Sequence, residues 1–107
     1  MEKEKALELW LEEMGDNLYA YDFSGKKIKQ TDYNVRNEVG WVVAYIKPVE
    51  LGGRKDRSNS IVMHHRTADE KGLHYPDFAI DHNRYIICHD QKGDFYYIEE
   101  CLEEEDD

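Results

Sequence analysis

The fold is decided by residues 40–72, which read GWVVAYIKPVELGGRKDRSNSIVMHHRTADEKG. The run Trp41–Ile46 is rich in β-branched and aromatic residues, which predicts a buried strand, and Pro48 ends it. Residues 51–59 are polar and contain two adjacent glycines, as is typical of a loop. The short apolar run at residues 60–63 predicts a second strand that follows this loop.

A short helix completes this part of the chain. The sequence predicts it over residues 64–71, and Gly72 can close it. The resulting order is strand, glycine loop, strand and helix. Within and just before it stand Asp32-Tyr33-Asn34, Arg36, Gly40-Trp41, Ile46, Pro48, Gly52-Gly53, Ser58-Asn59, His64, Thr67 and Glu70-Lys71. In this order and in these residues the chain resembles the ββα-metal core of HNH nucleases, over roughly residues 19–72.

The resemblance also implies what has been lost. Family members carry an Asp-His pair at the centre of the first strand, where the first residue binds a divalent metal ion and the second is the general base. They carry an Asn or His ligand on the helix. In this chain Ala44 and Tyr45 occupy the positions of the pair, and Ala68 occupies the helix position. A methyl group binds no metal, and a tyrosine with a pKa of about 10 is a poor base near neutral pH. The resemblance therefore implies a degenerate member without catalytic residues.

Of the positions that form the family's site, two still carry a polar side chain. Asn59 has the family role of bracing the loop, and His64 is the residual candidate for a metal ligand. Weaker alternatives that could join it are His65, Asp69 and His74. One imidazole does not make a metal site, and the histidines show no standard zinc spacing. We therefore expect no cofactor, with a Mg, Mn or Zn ion as the alternative.

Five basic residues are candidates for contact with nucleic-acid phosphates. They lie beside a predicted turn and in the predicted glycine loop, and they are Lys26, Lys27, Arg54, Lys55 and Arg57. Lysines next to a turn also discourage unwanted strand pairing, and charged loop tips are ordinarily solvated. The sequence leaves both interpretations open.

The net charge of −10 is unevenly distributed. Residues 1–22 carry a net charge of −5 and residues 72–107 one of −9, whereas residues 23–71 carry +4 from ten bases and six acids. The acidic flanks would repel a polyanion and favour a basic partner. We therefore expect another protein with a basic surface as the partner, with DNA as a weaker possibility.

Length and composition predict one domain over residues 1–98 and an acidic tail over residues 99–107, which hold seven acids. No apolar run approaches the roughly 20 residues that span a bilayer, and the first residues lack the apolar segment of a signal peptide. A cytoplasmic protein without membrane contact is expected. Cys88 and Cys101 do not form a disulfide framework, and a bond between them is the minority alternative.

The flanks predict an α+β fold around the HNH-like core. Residues 3–14 predict an amphipathic helix that Gly15 ends, with Leu7, Trp10, Leu11 and Met14 as its apolar face. A flanking hairpin is predicted over residues 19–28. Residues 75–80 predict a short strand that Pro76 breaks, and a C-terminal hairpin joins residues 85–88 to residues 95–98.

These observations favour a catalytically inactive HNH-like protein that acts by binding, as a regulator or inhibitor of the kind that phages and mobile elements carry. The alternatives are a metal-dependent DNA endonuclease with relocated ligands and a DNA-binding remnant that does not cleave. The endonuclease would need at least two new metal ligands near His64.

Overall fold

The computed structural model describes residues 1–102, in which two α-helices and seven β-strands form a small α+β protein. The strands make three separate antiparallel sheets, with the orders β1-β2, β3-β4 and β5-β6-β7. The elements are α1 (Lys3–Met14), β1 (Tyr19–Tyr21), β2 (Lys27–Lys29), β3 (Trp41–Tyr45), β4 (Ser60–His64), α2 (His65–Lys71), β5 (Asp77–Ile80), β6 (Asn83–Asp90) and β7 (Phe95–Cys101). The predicted α+β class and the predicted order of elements are confirmed.

Helix α1 has the predicted bounds, but its buried face is rotated from the predicted one. The fully buried residues are Ala6, Leu9 and Trp10, while Leu11 is 47% exposed. The rotation follows from the indole of Trp10, which packs on the Trp41 ring with a centroid distance of 5.0 Å. The large aromatic pair determines which side of the helix packs on the sheet, and Ala6 and Leu9 are buried because they lie on that side.

The sheet of β3 and β4 lies at the centre of the molecule, because each of its faces packs on a different core. The first core covers the side of α1 and consists of Ala6, Leu9, Trp10, Ile28, Trp41 and Val62. The second core covers the side of the three-stranded sheet and consists of Ile46, Phe78, Ile80, Tyr85 and Ile87. Alternation along the strands separates the two, since Val62 joins the first core and its neighbour Ile61 packs on the second.

The predicted helix after β4 forms, one residue later than expected. His64 is its N-cap rather than its first residue, and Gly72 ends it with φ of 51°. Helix α2 packs against β3, β4 and β5. It therefore links the central sheet to the three-stranded sheet.

The C-terminal hairpin is longer than predicted. Strand β7 continues through Glu99 and Glu100 to Cys101, so three residues assigned to the acidic tail belong to the sheet, and residues 103–107 lie outside the described part of the chain. Cys101 pairs with Arg84 in the ladder, four positions from Cys88 on the same strand β6. Four strand positions span about 13 Å, which is too far for a disulfide. Both cysteines are free, so the alternative of a bond between them is wrong.

No helix among residues 1–102 is long and apolar enough to cross a membrane.

Candidate functional site

Positions 44 and 45 are the last two residues of β3 in the central sheet. Ala44 pairs with Ile61 on β4, and Tyr45 pairs with Ser60, so the two side chains project to opposite faces. Ala44 is half-buried and Tyr45 is 37% exposed. Ala68 is half-buried on α2. A methyl, a phenol and a methyl therefore stand at the three positions that the resemblance assigns to the metal and the base.

Both ring nitrogens of His64 are bound to the backbone. Nδ1 accepts a hydrogen bond from the Arg66 amide at 3.0 Å, which caps α2. Nε2 lies 2.8 Å from the carbonyl oxygen of Glu38, and because Nδ1 is an acceptor, Nε2 carries the proton and donates. Burial lowers the pKa of His64, which keeps this neutral tautomer. The lone pair that would bind a metal ion therefore already caps a helix.

The weaker candidates do not converge on His64 as a set of ligands. The ring of His65 stacks on that of His64 with a centroid distance of 4.4 Å, and its Nε2 lies 2.6 Å from the carbonyl oxygen of Asn37. Asp69 forms an ion pair with Arg36 at 2.5 Å, and His74 is exposed. Within residues 1–102, no three His, Cys, Asp or Glu side chains are placed to hold one metal ion. The described residues do not fit a divalent metal site.

The most connected polar residue near α2 is Asp22, which the sequence analysis did not single out. Its Oδ2 accepts hydrogen bonds from the His64 amide at 3.0 Å and from Thr67 Oγ1 at 2.7 Å. Its Oδ1 accepts from the amides of Ser24 and Lys26, both at 3.0 Å, and from Ser24 Oγ. Asp22 is 4% exposed, so the carboxylate ties the β1–β2 turn to β4 and α2 in the interior.

The charge of Asp22 is stabilised where it lies. Burial by itself raises the pKa of this carboxyl, but the hydrogen bonds from Thr67, His64, Ser24 and Lys26 lower it by more, so the pKa lies below its ordinary value. The sequence signal that could have located Asp22 is its local turn, since Asp followed two residues later by Ser is a common Asx-turn pattern. The contacts with β4 and α2 have no local signal, because their partners lie more than 40 residues away.

Asn59 braces the loop between β3 and β4, as the resemblance implies. It is fully buried, and its Nδ2 donates to the carbonyl oxygens of Lys47 at 2.9 Å and Arg54 at 2.8 Å. Its Oδ1 accepts from the Lys47 amide at 2.8 Å. A Cβ atom at Gly53 would lie 1.9 Å from the Lys47 carbonyl oxygen, so the second glycine of the loop allows this close packing.

Three of the five basic candidates are already paired with acids. Lys26 Nζ lies 2.8 Å from Asp81, and Arg54 pairs with Asp94. Nε and Nη2 of Arg57 both donate to Oε2 of Glu12. A phosphate would have to displace a carboxylate from each of these.

The other two candidates differ. Lys27 lies over the Tyr19 ring, with Nζ 4.6 Å from the centroid. Lys55 is exposed and lines a groove of about 430 Å³ between α1 and residues 55–57, which also contains Glu8 and Glu12. The five bases are therefore spread over the surface and mixed with acids rather than gathered into one basic patch.

No protein-family model, curated protein or solved structure matches this chain. The likeness to HNH nucleases accordingly depends on the quoted residues and their spacing.

Proposed function

We propose that this chain is a catalytically inactive HNH-like protein that acts by binding a protein partner with a basic surface. The observation that carries the proposal is the state of the metal positions. Ala44, Tyr45 and Ala68 supply no ligand, and both ring nitrogens of His64 bind the backbone. The family's water activation needs several converging donors, and these side chains cannot provide them.

The charge distribution supports a basic partner. Acids outnumber bases by 24 to 14 in the whole chain. Intramolecular ion pairs further reduce the positive charge available to a ligand, since Lys26, Arg54 and Arg57 are all paired. A negative surface accelerates association with a basic protein and slows association with DNA.

The first experiment tests the loss of nuclease chemistry. Calorimetric titration of the chain with Mg²⁺, Mn²⁺ and Zn²⁺ should show no specific site, and plasmid DNA incubated with each ion should remain supercoiled. Submillimolar binding of one ion together with nicked plasmid would overturn the proposal in favour of an endonuclease with relocated ligands.

The second experiment tests the HNH-like geometry itself. The triple variant Ala44→Asp, Tyr45→His, Ala68→Asn restores the three family side chains, and we expect it to bind Mn²⁺ weakly, because His64 must exchange its helix cap for the metal. The matched control is the double variant without Ala68→Asn, which should bind less. A folded triple variant that binds no Mn²⁺ would contradict the likeness.

The third experiment tests the partner. The immobilised chain should retain basic proteins from a lysate of its host, and these should elute with rising NaCl and not with EDTA, because screening weakens charge attraction. A variant in which Glu99 and Glu100 are replaced by glutamine should retain less. Retention of DNA instead, lost in an Arg54→Ala, Lys55→Ala, Arg57→Ala variant, would favour the DNA-binding remnant.

A further inference from the structure

The three-stranded sheet turns one face to the second core and the other face away from it. Tyr85 and Ile87 of β6 belong to that core, and successive residues of a strand point to opposite sides of the sheet. The outward face therefore consists of Asp77 and Ala79 on β5, the even-numbered residues of β6 from Arg84 to Asp90, and the odd-numbered residues of β7 from Phe95 to Cys101. Each of these residues is exposed or half-buried, so no element within residues 1–102 covers the outward face.

The centre of the outward face is apolar. Cys88 pairs with Tyr97 in the ladder, and Ile86 and Phe95 are the next outward residues on β6 and β7. Ile86 is 39% exposed and Phe95 is 41% exposed, and the ring centroids of Phe95 and Tyr97 lie 5.9 Å apart. Contact with a partner would remove this apolar surface from water, which favours association.

A carboxylate lies at each end of this apolar centre. Asp90 is opposite Phe95, and Glu99 is opposite Ile86. Among residues 1–102, neither carboxylate forms an ion pair with a base. One oxygen of Asp90 accepts a hydrogen bond from the Gly93 amide at 2.9 Å, which leaves its second oxygen for a ligand.

The outward face carries a surplus of two negative charges. Its other charged residues are Asp77 and Arg84, which pair with each other at 3.3 Å and cancel. The row of Phe95 and the row of Glu99 are four strand positions apart, or about 13 Å, which is too far for one metal ion to bind both free carboxylates. The ligand must then present two separate cations, as a basic protein can.

We propose that the outward face binds the basic partner, and that the partner presents an extended segment with two arginines four residues apart and an apolar residue midway between them. In an extended segment this spacing also spans about 13 Å, and all three side chains point to one side. The arginines then reach Asp90 and Glu99, and the apolar residue covers Cys88 and Tyr97. The assignment rests on the proposed function, since that function requires the basic partner.

The chemistry of the outward face selects arginine over lysine. A guanidinium can donate two hydrogen bonds to a carboxylate and stack on an aromatic ring, whereas the ammonium of lysine is a compact point charge. Phe95 beside Asp90 and Tyr97 near Glu99 offer a ring together with a carboxylate at both ends of the face.

The same charges argue against other occupants. A second copy would bring two more uncompensated carboxylates to the interface, and a nucleic acid would bring phosphates, so both would be repelled. Residues 103–107 of this chain are all acidic and would be repelled in the same way. A basic protein segment is the occupant whose charge complements the face.

Titration with a defined peptide tests the site. The probe is the capped peptide Arg-Ser-Leu-Ser-Arg, and its binding is followed through the amide chemical shifts of the isotope-labelled full chain. We expect the largest shift changes on β6 and β7 at the outward residues, and weaker binding of the control peptide Lys-Ser-Leu-Ser-Lys. Largest changes in the groove between α1 and residues 55–57, or equal binding of the two peptides, would overturn the proposal.

Two neighbouring glutamates provide a matched pair of variants. Glu99 points outward, whereas Glu100 pairs with Tyr85 and lies on the other side of the sheet. Glu99→Gln should weaken binding of the arginine peptide about fivefold, while Glu100→Gln, with the same change in net charge, should leave it within about twofold. Phe95→Leu removes the ring and should weaken binding about threefold. Tyr21→Leu, at an aromatic residue that is 62% exposed on β1, is its control and should have no effect.

Different outcomes distinguish failure of this site from failure of the proposed function. If Glu99→Gln and Glu100→Gln weaken binding equally, the chain still binds a basic ligand, but the outward face is not its site. If neither peptide binds, the site is overturned, and the proposed function is overturned with it only when the chain also retains no basic protein. A wild-type chain that dimerises in sedimentation, with a stronger dimer for Glu99→Gln, would show that a second copy covers the face instead.

Discussion

Asp22 shows how one buried carboxylate can hold three separate segments together. It accepts hydrogen bonds from its own turn, from the His64 amide on β4 and from the Thr67 hydroxyl on α2. Each partner alone would be an ordinary polar group, but all of them point at one charge in the interior. A buried charge is tolerated when it is hydrogen-bonded in this way, and its loss leaves several donors unsatisfied.

We expect Asp22→Asn to destabilise the chain by about 3 kcal/mol at pH 7, because the amide nitrogen would face donors that the carboxylate now accepts. The pKa of Asp22 is lowered by folding, so the stability it provides is fully present above its ordinary pKa of 3.8 and is lost as the pH falls through the folded value. Urea unfolding of both proteins at pH 7 and at pH 3 checks this. If the difference in unfolding free energy between the two proteins is as large at pH 3 as at pH 7, the charge of Asp22 is not the cause of the destabilisation.

Lys71 is a buried amine without a carboxylate partner among the described residues. It is 2% exposed, and its Nζ lies 5.4 Å from the centre of the Phe78 ring. Burial lowers the pKa of Lys71 to about 8, because the charged form loses hydration. The site is therefore a cost to stability when the amine is protonated.

Lys71→Met should stabilise the chain by about 2 kcal/mol at pH 6. Between pH 8 and pH 10.5 the unfolded wild type binds more protons than the folded one, so wild-type stability rises with pH there and the advantage of methionine shrinks. Thermal unfolding across this range measures the difference. Lys92→Met, at an exposed position, is the control, and its stability relative to wild type should not change with pH in this way. If Lys71→Met were more stable than wild type by the same amount at every pH, the buried charge of Lys71 would not be the cause.

At the scale of elements, the central sheet is held by side chains that bond to the backbone. Asn59 fixes the long loop to the end of β3, and Glu13 reaches from α1 to the Val62 amide on β4. Although much of the Glu13 side chain is exposed, burial of its carboxyl against the strand raises the pKa of Glu13 to about 7. The strand–loop–strand unit is therefore held together by these amide and carboxyl groups.

Asn59→Ala should destabilise the chain by about 3 kcal/mol, because it leaves two carbonyl oxygens and one amide of the buried loop without their partner. The matched control is Ser58→Ala in the same short turn, where the side chain bonds locally to Asp56, and we expect a smaller loss. Guanidinium unfolding compares the two. Equal losses of unfolding free energy would mean that the hydrogen bonds of Asn59 to Lys47 and Arg54 stabilise the chain no more than the local bond of Ser58.

At the scale of the whole molecule, one sheet serves two cores. The first core contains both tryptophans, and the second core lies on the other face of the same two strands. Because β3 and β4 are common to both cores, loss of one core exposes one face of the sheet and so destabilises the strands on which the other core packs. This arrangement predicts cooperative unfolding of the described fold.

We expect Ile80→Ala, in the second core, to lower stability by about 3 kcal/mol. The unfolding midpoint should fall equally when it is followed by tryptophan fluorescence, which reports the first core, and by amide hydrogen exchange in β6. Ala79→Ser changes the exposed neighbour on the same strand and should shift neither. If fluorescence kept its wild-type midpoint in the Ile80→Ala variant, the two cores would unfold separately.

The sequence by itself determined the elements of this protein and their order. Turn residues and proline mark the ends of the strands, and the period of the apolar residues distinguishes helix from strand, because these signals act over a few neighbouring residues. The bounds of α1 and the places of β3 and β4 were predictable for this reason. The methyl groups of Ala44 and Ala68 and the phenol of Tyr45 were equally visible, since side-chain chemistry needs no coordinates.

The tertiary structure alone decided which distant residues meet. Asp22 bonds to Thr67 across 45 positions of sequence, and Glu13 bonds to Val62 across 49. Such contacts carry no local pattern, because they depend on how three sheets pack around two cores rather than on the neighbours of either residue. The same packing commits both ring nitrogens of His64 to the backbone and bonds the amides of Val62 and His64 to the carboxylates of Glu13 and Asp22.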